Sequence, residues 1–192
     1  RVVPPVLRGE KIAALAITEP EGGSDVAALR TRAVRDGDAF VIDGAKTYIT
    51  SAARADFVTV AARTGGAGFG GISLLVVPTD SPGFTVSRRL EKMGWLCSDT
   101  AELAFTGCRV PATNLVGPLD SGFVQIAQQF VVERLSIAVQ AYATAQRCLD
   151  LALAWARERQ TFGKPLNRHQ VVRHQLVEMH RQIEVARVYT RE

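Results

Sequence analysis

Two kinds of hydrophobic patterning divide the chain. Up to about residue 110 the apolar positions come in short runs: Ile12 to Ile17, Phe40 to Ile42, Phe57 to Ala61, Ile72 to Val77, Phe84 to Val86 and Glu102 to Phe105. Turn signals separate them at Asp36-Gly37-Asp38, Asp43-Gly44, Pro82-Gly83 and Thr106-Gly107. Short apolar runs bounded by glycine, proline and aspartate predict β-strands. No helix-length amphipathic segment interrupts them, so an antiparallel barrel or sandwich is expected rather than alternating βαβ units. Gly66 to Gly71 has the spacing G-x-G-x-x-G, but a strand pattern follows it where a dinucleotide-binding turn needs a helix. It reads as a hairpin loop.

After Val110-Pro111 and the turn around Asn114 to Gly117 the pattern changes. From Gly122 to about Arg159 there is no proline, and alanine, leucine and glutamine dominate. This predicts one long helix with Ser121 as its N-cap. Thr161 to Pro165 breaks it, and Asn167 with Gln170 has capping-box spacing for a second helix. There Val172, Leu176, Met179, Ile183 and Ala186 fall in steps of four and three, which puts them on one face. Two helices cannot bury such faces alone, so partner helices are expected from sequence outside the chain, from another subunit, or both. The predicted fold class is α+β: an antiparallel β-barrel domain over residues 1–112, then part of a helical bundle over residues 120–192.

Composition narrows the function classes. With 192 residues and 47% apolar content the chain can bury a real core. No apolar run approaches the roughly 20 residues of a membrane span. Cys97, Cys108 and Cys148 form no C-x-x-C pair, which suits a reduced compartment, cytoplasmic or, in a eukaryote, the mitochondrial matrix. No metal site is expected. The net charge of +4 is spread along the chain, favouring an anionic ligand over a nucleic-acid surface. The start at Arg1 and the end inside a helical pattern suggest a fragment.

Two stretches carry candidate chemistry. In Ile17 to Asp25 an apolar run is cut by Glu19-Pro20 and followed by Gly22-Gly23-Ser24. A strand ending in such a turn suits a planar ring beside Thr18 and a phosphate over Gly23 and Ser24. An ordinary polar turn is the plainer alternative. The second stretch is Glu133-Arg134, the only charged residues between Asp120 and Arg147. Ile126, Phe130, Glu133 and Ile137 share a helical stripe, so the carboxylate lies on an apolar face. That placement fits a tuned general base or half of a structural ion pair.

Taken together, four segments resemble signatures of the acyl-CoA dehydrogenase family: Ile17 to Asp25, Asp43 to Thr50, Met93 to Thr100, and Arg159 to Leu166 followed by His169-Gln170. The resemblance runs from about Ala13 to the chain end. It implies a middle β-barrel domain joined to the start of a C-terminal four-helix bundle, with FAD bound between them. By position, Leu15, Ile17 and Thr18 would line the isoalloxazine, Gly23 and Ser24 the pyrophosphate, and Tyr48, Ile49 and Thr50 the other side of the ring. Arg159, Gln160, Thr161, Phe162, His169 and Gln170 would reach the FAD of a neighbouring subunit in a homotetramer or dimer. Ser24, Ser98 and Arg134 match positions that touch acyl-CoA. Glu133 stands where isovaleryl- and long-chain-type members carry the catalytic base, whereas most members carry it later in the bundle.

The implied activity is α,β-dehydrogenation of an acyl-CoA thioester, with electrons passed to an electron-transfer flavoprotein. Alternatives on the same fold are a flavin-dependent oxidase or monooxygenase, or a non-catalytic flavin or acyl-CoA binding relative. Three positions depart from the family pattern: Tyr48 replaces a tryptophan, Leu96 a frequent arginine, and Val131 an aspartate found in some members. None of them fixes acyl length.

Overall fold

A computed structural model describes residues 2–192. The chain divides into two units, residues 1–126 and 127–192. The first is built on strands β1 (Ala13–Ala16), β2 (Arg32–Asp36), β3 (Ala39–Thr50), β4 (Phe57–Arg63), β5 (Ile72–Pro78), β6 (Phe84–Arg89), β7 (Thr100–Pro111) and β8 (Leu115–Val116), after a short helix α1 (Val3–Leu7). The hydrogen-bonded order is β6-β7-β3-β2-β4-β5-β8, with β1 joined to β4.

Most pairings are antiparallel, as the run-and-turn pattern predicted. Two are parallel: β1 alongside β4, and the single contact of Arg32 with Arg63 between β2 and β4. Expected as a barrel, the sheet has an open pairing path, since its end strands β6 and β8 are not bonded to each other. The Gly66–Gly71 segment does join an antiparallel hairpin, β4 to β5, paired from Phe57↔Pro78 to Arg63↔Ile72.

Alternation along β3 and β4 builds the core. Phe40, Ile42, Val58, Val60, Leu75 and Leu103 all lie in one buried cluster. Burying each such side chain contributes about 1.5–3 kcal/mol relative to exposure. The β3–β7 ladder is interrupted twice, between Ile42 and Gly44 and between Lys46 and Ile49. At the second interruption three steps on β3 match two on β7, an extra residue that bends the strand and re-aims its side chains. Arg63 closes the far end. Its guanidinium donates to the carbonyls of Ala27, Leu29, Gly66 and Gly68, tying two loops to the sheet.

In the second unit, α2 (Gly122–Glu158, which begins in the first unit) is followed by a hairpin of β9 (Gln160–Thr161) and β10 (Lys164–Pro165), and then by α3 (Gln170–Arg191). Arg187, late in α3, donates to Gln146 Oε1 at 2.9 Å and lies over the Tyr142 ring. The two helices therefore run antiparallel. Between them lies an apolar groove of about 520 Å³, floored by Leu149 and Ile183 and flanked by Ala145, Ala152, Met179 and Ala186. Val131, Leu135, Ile137 and Trp155 stay exposed on α2, in keeping with a helix pair that cannot cover itself.

Of the two predicted caps, Ser121 does stand directly before α2, with its carbonyl accepting the Gln125 N–H at 3.4 Å. Among the described residues its side chain caps no helix N–H, however, and Asn167 does not directly precede α3. The Ser121 hydroxyl donates to Pro118 O and accepts from the Gln125 side chain rather than from a helix N–H. Asn167 lies in a 3₁₀ turn over Leu166–Arg168, so His169 rather than Asn167 precedes α3, and it makes no side-chain cap.

Candidate functional site

The turn after β1 is held from below by a buried ion pair. Lys46 is 1% exposed and Glu19 5%. The Lys46 ammonium donates to Glu19 Oε1 and to the Ile17 carbonyl, each at 2.9 Å. The Glu19 carboxylate also accepts the backbone N–H groups of Arg30 at 2.6 Å and Thr31 at 2.9 Å. One β3 step on, Thr47 N–H donates to Thr18 O at 3.0 Å. The carbonyls of Ile17 and Thr18 are thus both fixed to β3.

This cage sets the electrostatics. Burial pulls the Lys46 ammonium down to about 8, with the Glu19 charge opposing it. Burial alone would raise the Glu19 carboxyl. Lys46 and the bonds from Thr31 and Arg30 outweigh that and hold it below the usual carboxyl range.

Above the cage, the turn closes through Glu19 N–H to Gly22 O at 3.0 Å and Gly22 N–H to Glu19 O at 3.1 Å. A Cβ on Gly23 would stand 3.1 Å from Thr18 Cγ2, so glycine lets the turn lie against the threonine. Gly23 and Ser24 are exposed, and among the described residues no backbone carbonyl accepts their N–H groups. Two such open donors in a tight turn are free to face an anion.

On β3 the extra residue produces a sharp feature. Tyr48 takes φ of 59° and is 69% exposed, a left-handed conformation that costs a non-glycine residue of order 1 kcal/mol or more. The bulge turns the tyrosine ring out of the sheet. Its neighbours divide: Ile49 is buried in the core, and Thr50 is exposed. Ile49 is also paired with Ala101, and its carbonyl accepts the Ala52 N–H at 3.4 Å, so it backs this segment from the core side.

The loop bearing Ser98 is anchored next to this segment. Ser51 N–H donates to Asp99 O at 3.0 Å, and Ala53 N–H donates to Asp99 Oδ1 at 2.8 Å. In the first unit, then, the predicted residues Ile17, Thr18, Tyr48, Ile49, Thr50 and Ser98 lie on segments bonded to one another. Leu15 is half-buried in β1, and Ser24 lies in the exposed turn.

The second unit holds the rest. Glu133 is half-buried on α2, with the Gln129 amide 3.5 Å from its Oε1 and no ion pair among the described residues. Arg134 turns instead over the Phe130 ring, 5.8 Å from its centre. Beyond α2, Thr161 bonds the His169 ring nitrogen at 3.1 Å, and Leu166 N–H donates to Arg159 O at 2.8 Å. The β9–β10 tip carries Phe162, 96% exposed with φ of 51°. Arg159, Gln160 and Gln170 are exposed around it.

Sequence reasoning passed over Lys46, Glu19 and Thr31. The signal for Lys46 was present. Phe40, Ile42, Gly44 and Lys46 alternate along one strand, and of these Phe40, Ile42 and Lys46 are buried and Gly44 half-buried.

Known proteins with these features share both units. The chain matches the family models for the acyl-CoA dehydrogenase middle domain over residues 14–108 and C-terminal domain over residues 120–192. A probable acyl-CoA dehydrogenase of Bacillus subtilis is 41% identical over 185 residues, which is 95% of this chain and 49% of that protein. The cyclohexane-1-carbonyl-CoA dehydrogenase of Geobacter metallireducens is 39% identical over 97% of this chain and 49% of that protein. A crystal structure of a probable acyl-CoA dehydrogenase from Mycobacterium abscessus superposes with a TM-score of 0.98 at 66% identity, covering 100% of this chain and 51% of that one.

The fold is therefore the scaffold shared with these dehydrogenases. This chain belongs to the acyl-CoA dehydrogenase family, and it spans about half the length of the relatives it matches. Among the described residues, no helix is long and apolar enough to cross a membrane.

Proposed function

We propose that the whole protein containing this chain is an FAD-dependent dehydrogenase of acyl-CoA thioesters. The observation that carries this is the Thr18–Ser24 turn locked beside the bulged Tyr48–Thr50 segment through Thr47 N–H and Thr18 O. Family membership supplies the rest.

The residues present fit FAD. Open N–H donors at Gly23 and Ser24 suit its pyrophosphate, and Thr18 offers a hydroxyl to the ring system. The turned-out Tyr48 offers an aromatic wall, with Leu15 and Ile17 as apolar neighbours and Ile49 and Thr50 following it on the same strand. When bound, FAD supplies the two-electron acceptor for hydride from the substrate β-carbon.

Glu133 is the proposed base. Its carboxylate takes the α-proton of the thioester while the C–H bond at the β-carbon breaks, leaving the α,β-enoyl thioester. An otherwise apolar helix face is a suitable setting for such a group. Ser24, Ser98 and Arg134 are the proposed contacts to acyl-CoA. Around Phe162, the tip residues Arg159, Gln160, Thr161, His169 and Gln170 are proposed to reach the FAD of a neighbouring subunit in a homotetramer. Electrons are then passed to an electron-transfer flavoprotein.

The test is anaerobic titration of the full-length protein with a panel of acyl-CoA thioesters while following the flavin absorbance. Bleaching by at least one thioester is expected. Tight acyl-CoA binding without bleaching would indicate a non-catalytic relative, and rapid reoxidation by O₂ would indicate an oxidase.

A further inference from the structure

Neither the predicted flavin contacts nor the proposed acid–base chemistry uses the most deeply buried charges in the chain. Lys46 sits within the sheet core, yet its long side chain ends on the turn, bonding the Ile17 carbonyl and Glu19 Oε1 at 2.9 Å. Glu19 in turn gathers the Arg30 and Thr31 N–H groups. The ion pair thus ties β3 to the residue after β1, to the turn and, through Glu19, to the residues leading into β2. An ion pair of this kind is weak support for stability, because desolvating two charges offsets most of their attraction. Its value lies in geometry, since an unpaired partner is strongly disfavoured and only one arrangement satisfies both groups.

Position along β3 sharpens the point. Lys46 is the last regular residue before the interruption that turns Tyr48 outward. Its Nζ fixes the carbonyl just before Thr18, and the next residue, Thr47, fixes the Thr18 carbonyl itself. The Lys46 side chain therefore holds one edge of a slot, the Thr18–Ser24 turn, from the strand that runs on directly into the other edge, the Tyr48 bulge.

We propose that Lys46, acting with Glu19, is a positioning residue that sets the separation and register of the two walls between which the flavin ring binds. This rests on the flavin reading above. Lys46 touches neither ring nor substrate in this role and acts through Thr18 and Tyr48. Loss of the ammonium frees the Ile17 carbonyl and strands the Glu19 charge, leaving the Thr47 N–H to Thr18 O bond as the remaining tie and letting the turn shift relative to the bulge. A displacement near 1 Å in a positioning shell is enough to cost about 10²-fold in rate.

The experiment uses the full-length protein with two variants, Lys46→Met and the double variant Lys46→Met/Glu19→Gln. Three readouts are taken: the melting temperature of the apo-protein, the FAD dissociation constant, and the fine structure of the bound-flavin absorption band. Lys46→Met is expected to lower the apo melting temperature, weaken FAD at least about tenfold, equivalent to about 1.4 kcal/mol, and blur the band. The double variant removes the stranded charge, so its apo melting temperature should return toward wild type. Its FAD affinity and band shape should stay perturbed, because nothing holds the Ile17 carbonyl. Restored affinity and a native band in the double variant would overturn the positioning role and leave a purely structural pair. Unchanged FAD binding in Lys46→Met would overturn it as well. Failure of the wild-type protein to bind FAD at all would instead refute the flavin reading itself.

Discussion

Gly44→Ala is the perturbation whose outcome the backbone dictates most sharply. Gly44 sits at the first interruption of the β3–β7 ladder with φ of 148°, a conformation open to glycine and strained for other residues. A Cβ placed there would stand 2.5 Å from Thr31 Oγ1, 2.7 Å from Thr31 Cα and 2.8 Å from Thr31 Cβ. One of those atoms is backbone, so no rotamer change relieves the clash. Thr31 is also 1% exposed and bonded to Glu19, so it cannot retreat without opening the cage under the turn. Backbone strain contributes about 1–3 kcal/mol, and forced overpacking contributes about 1–3 kcal/mol more. With about 2–4 °C lost per kcal/mol in a domain of this size, the combined cost of about 2–6 kcal/mol should lower the melting midpoint by about 4–24 °C. Gly37→Ala is the control. It too has positive φ, 62°, but a Cβ there meets nothing within 4 Å, so only the smaller conformational cost of about 1–2 kcal/mol remains. Thermal unfolding of both variants by circular dichroism decides the matter. Equal losses for the two would refute the claim that the Thr31 contact makes Gly44 obligatory.

Two further outcomes follow from the cage and from the loop anchor. Glu19 has a folded-state value below its ordinary 4.5, so its contribution is complete above that pH and is lost as pH falls through the lower folded value. Glu19→Gln should therefore flatten the stability profile below about pH 4.5, and acid titrations of wild type and variant that stay parallel would contradict this. Arg63→Lys replaces a fork that spans four carbonyls with a single point donor. It should speed amide hydrogen exchange at least about tenfold, equivalent to about 1.4 kcal/mol of local opening, in residues 26–30 and 64–71. Unaltered exchange in both loops would show that the guanidinium is not what holds them.

Much of the fold was legible in the sequence, and the misses share a cause. Strands flanked by turn signals, such as Ile72 to Val77, stand out because a short run that is apolar at all but one position, Ser73, has few other uses. β2 did not, because Arg32 to Asp36 buries only Ala33, and its identity comes from pairing with β3 rather than from its own composition. The long helix was clear from its freedom from proline and its wealth of alanine, leucine and glutamine, while its caps were not. Asn167 has capping chemistry, but the Pro165–His169 segment adopts a 3₁₀ turn that moves the helix start beyond it.

The candidate site shows the same division. Gly22-Gly23-Ser24 announces a turn, but the ion pair that supports it joins residues 27 apart in sequence. Lysine is normally read as solvent-facing, so burial of Lys46 became visible only through the alternation of Phe40, Ile42 and Gly44. The outward aim of Tyr48 depends on a bulge, and a bulge leaves no mark in composition. Pairing with β7 creates it.

Glu133 is the residue on which the account depends most. In the full-length protein, Glu133→Gln keeps nearly the same shape, so FAD and acyl-CoA should still bind. Anaerobic stopped-flow mixing with a thioester that reduces the wild-type flavin then measures the chemical step alone. Loss of a positioned base predicts flavin reduction slower by about 10²–10⁴-fold, with the melting temperature close to wild type. Near-normal reduction, with or without a lowered melting temperature, would contradict the assignment and give Glu133 a structural role.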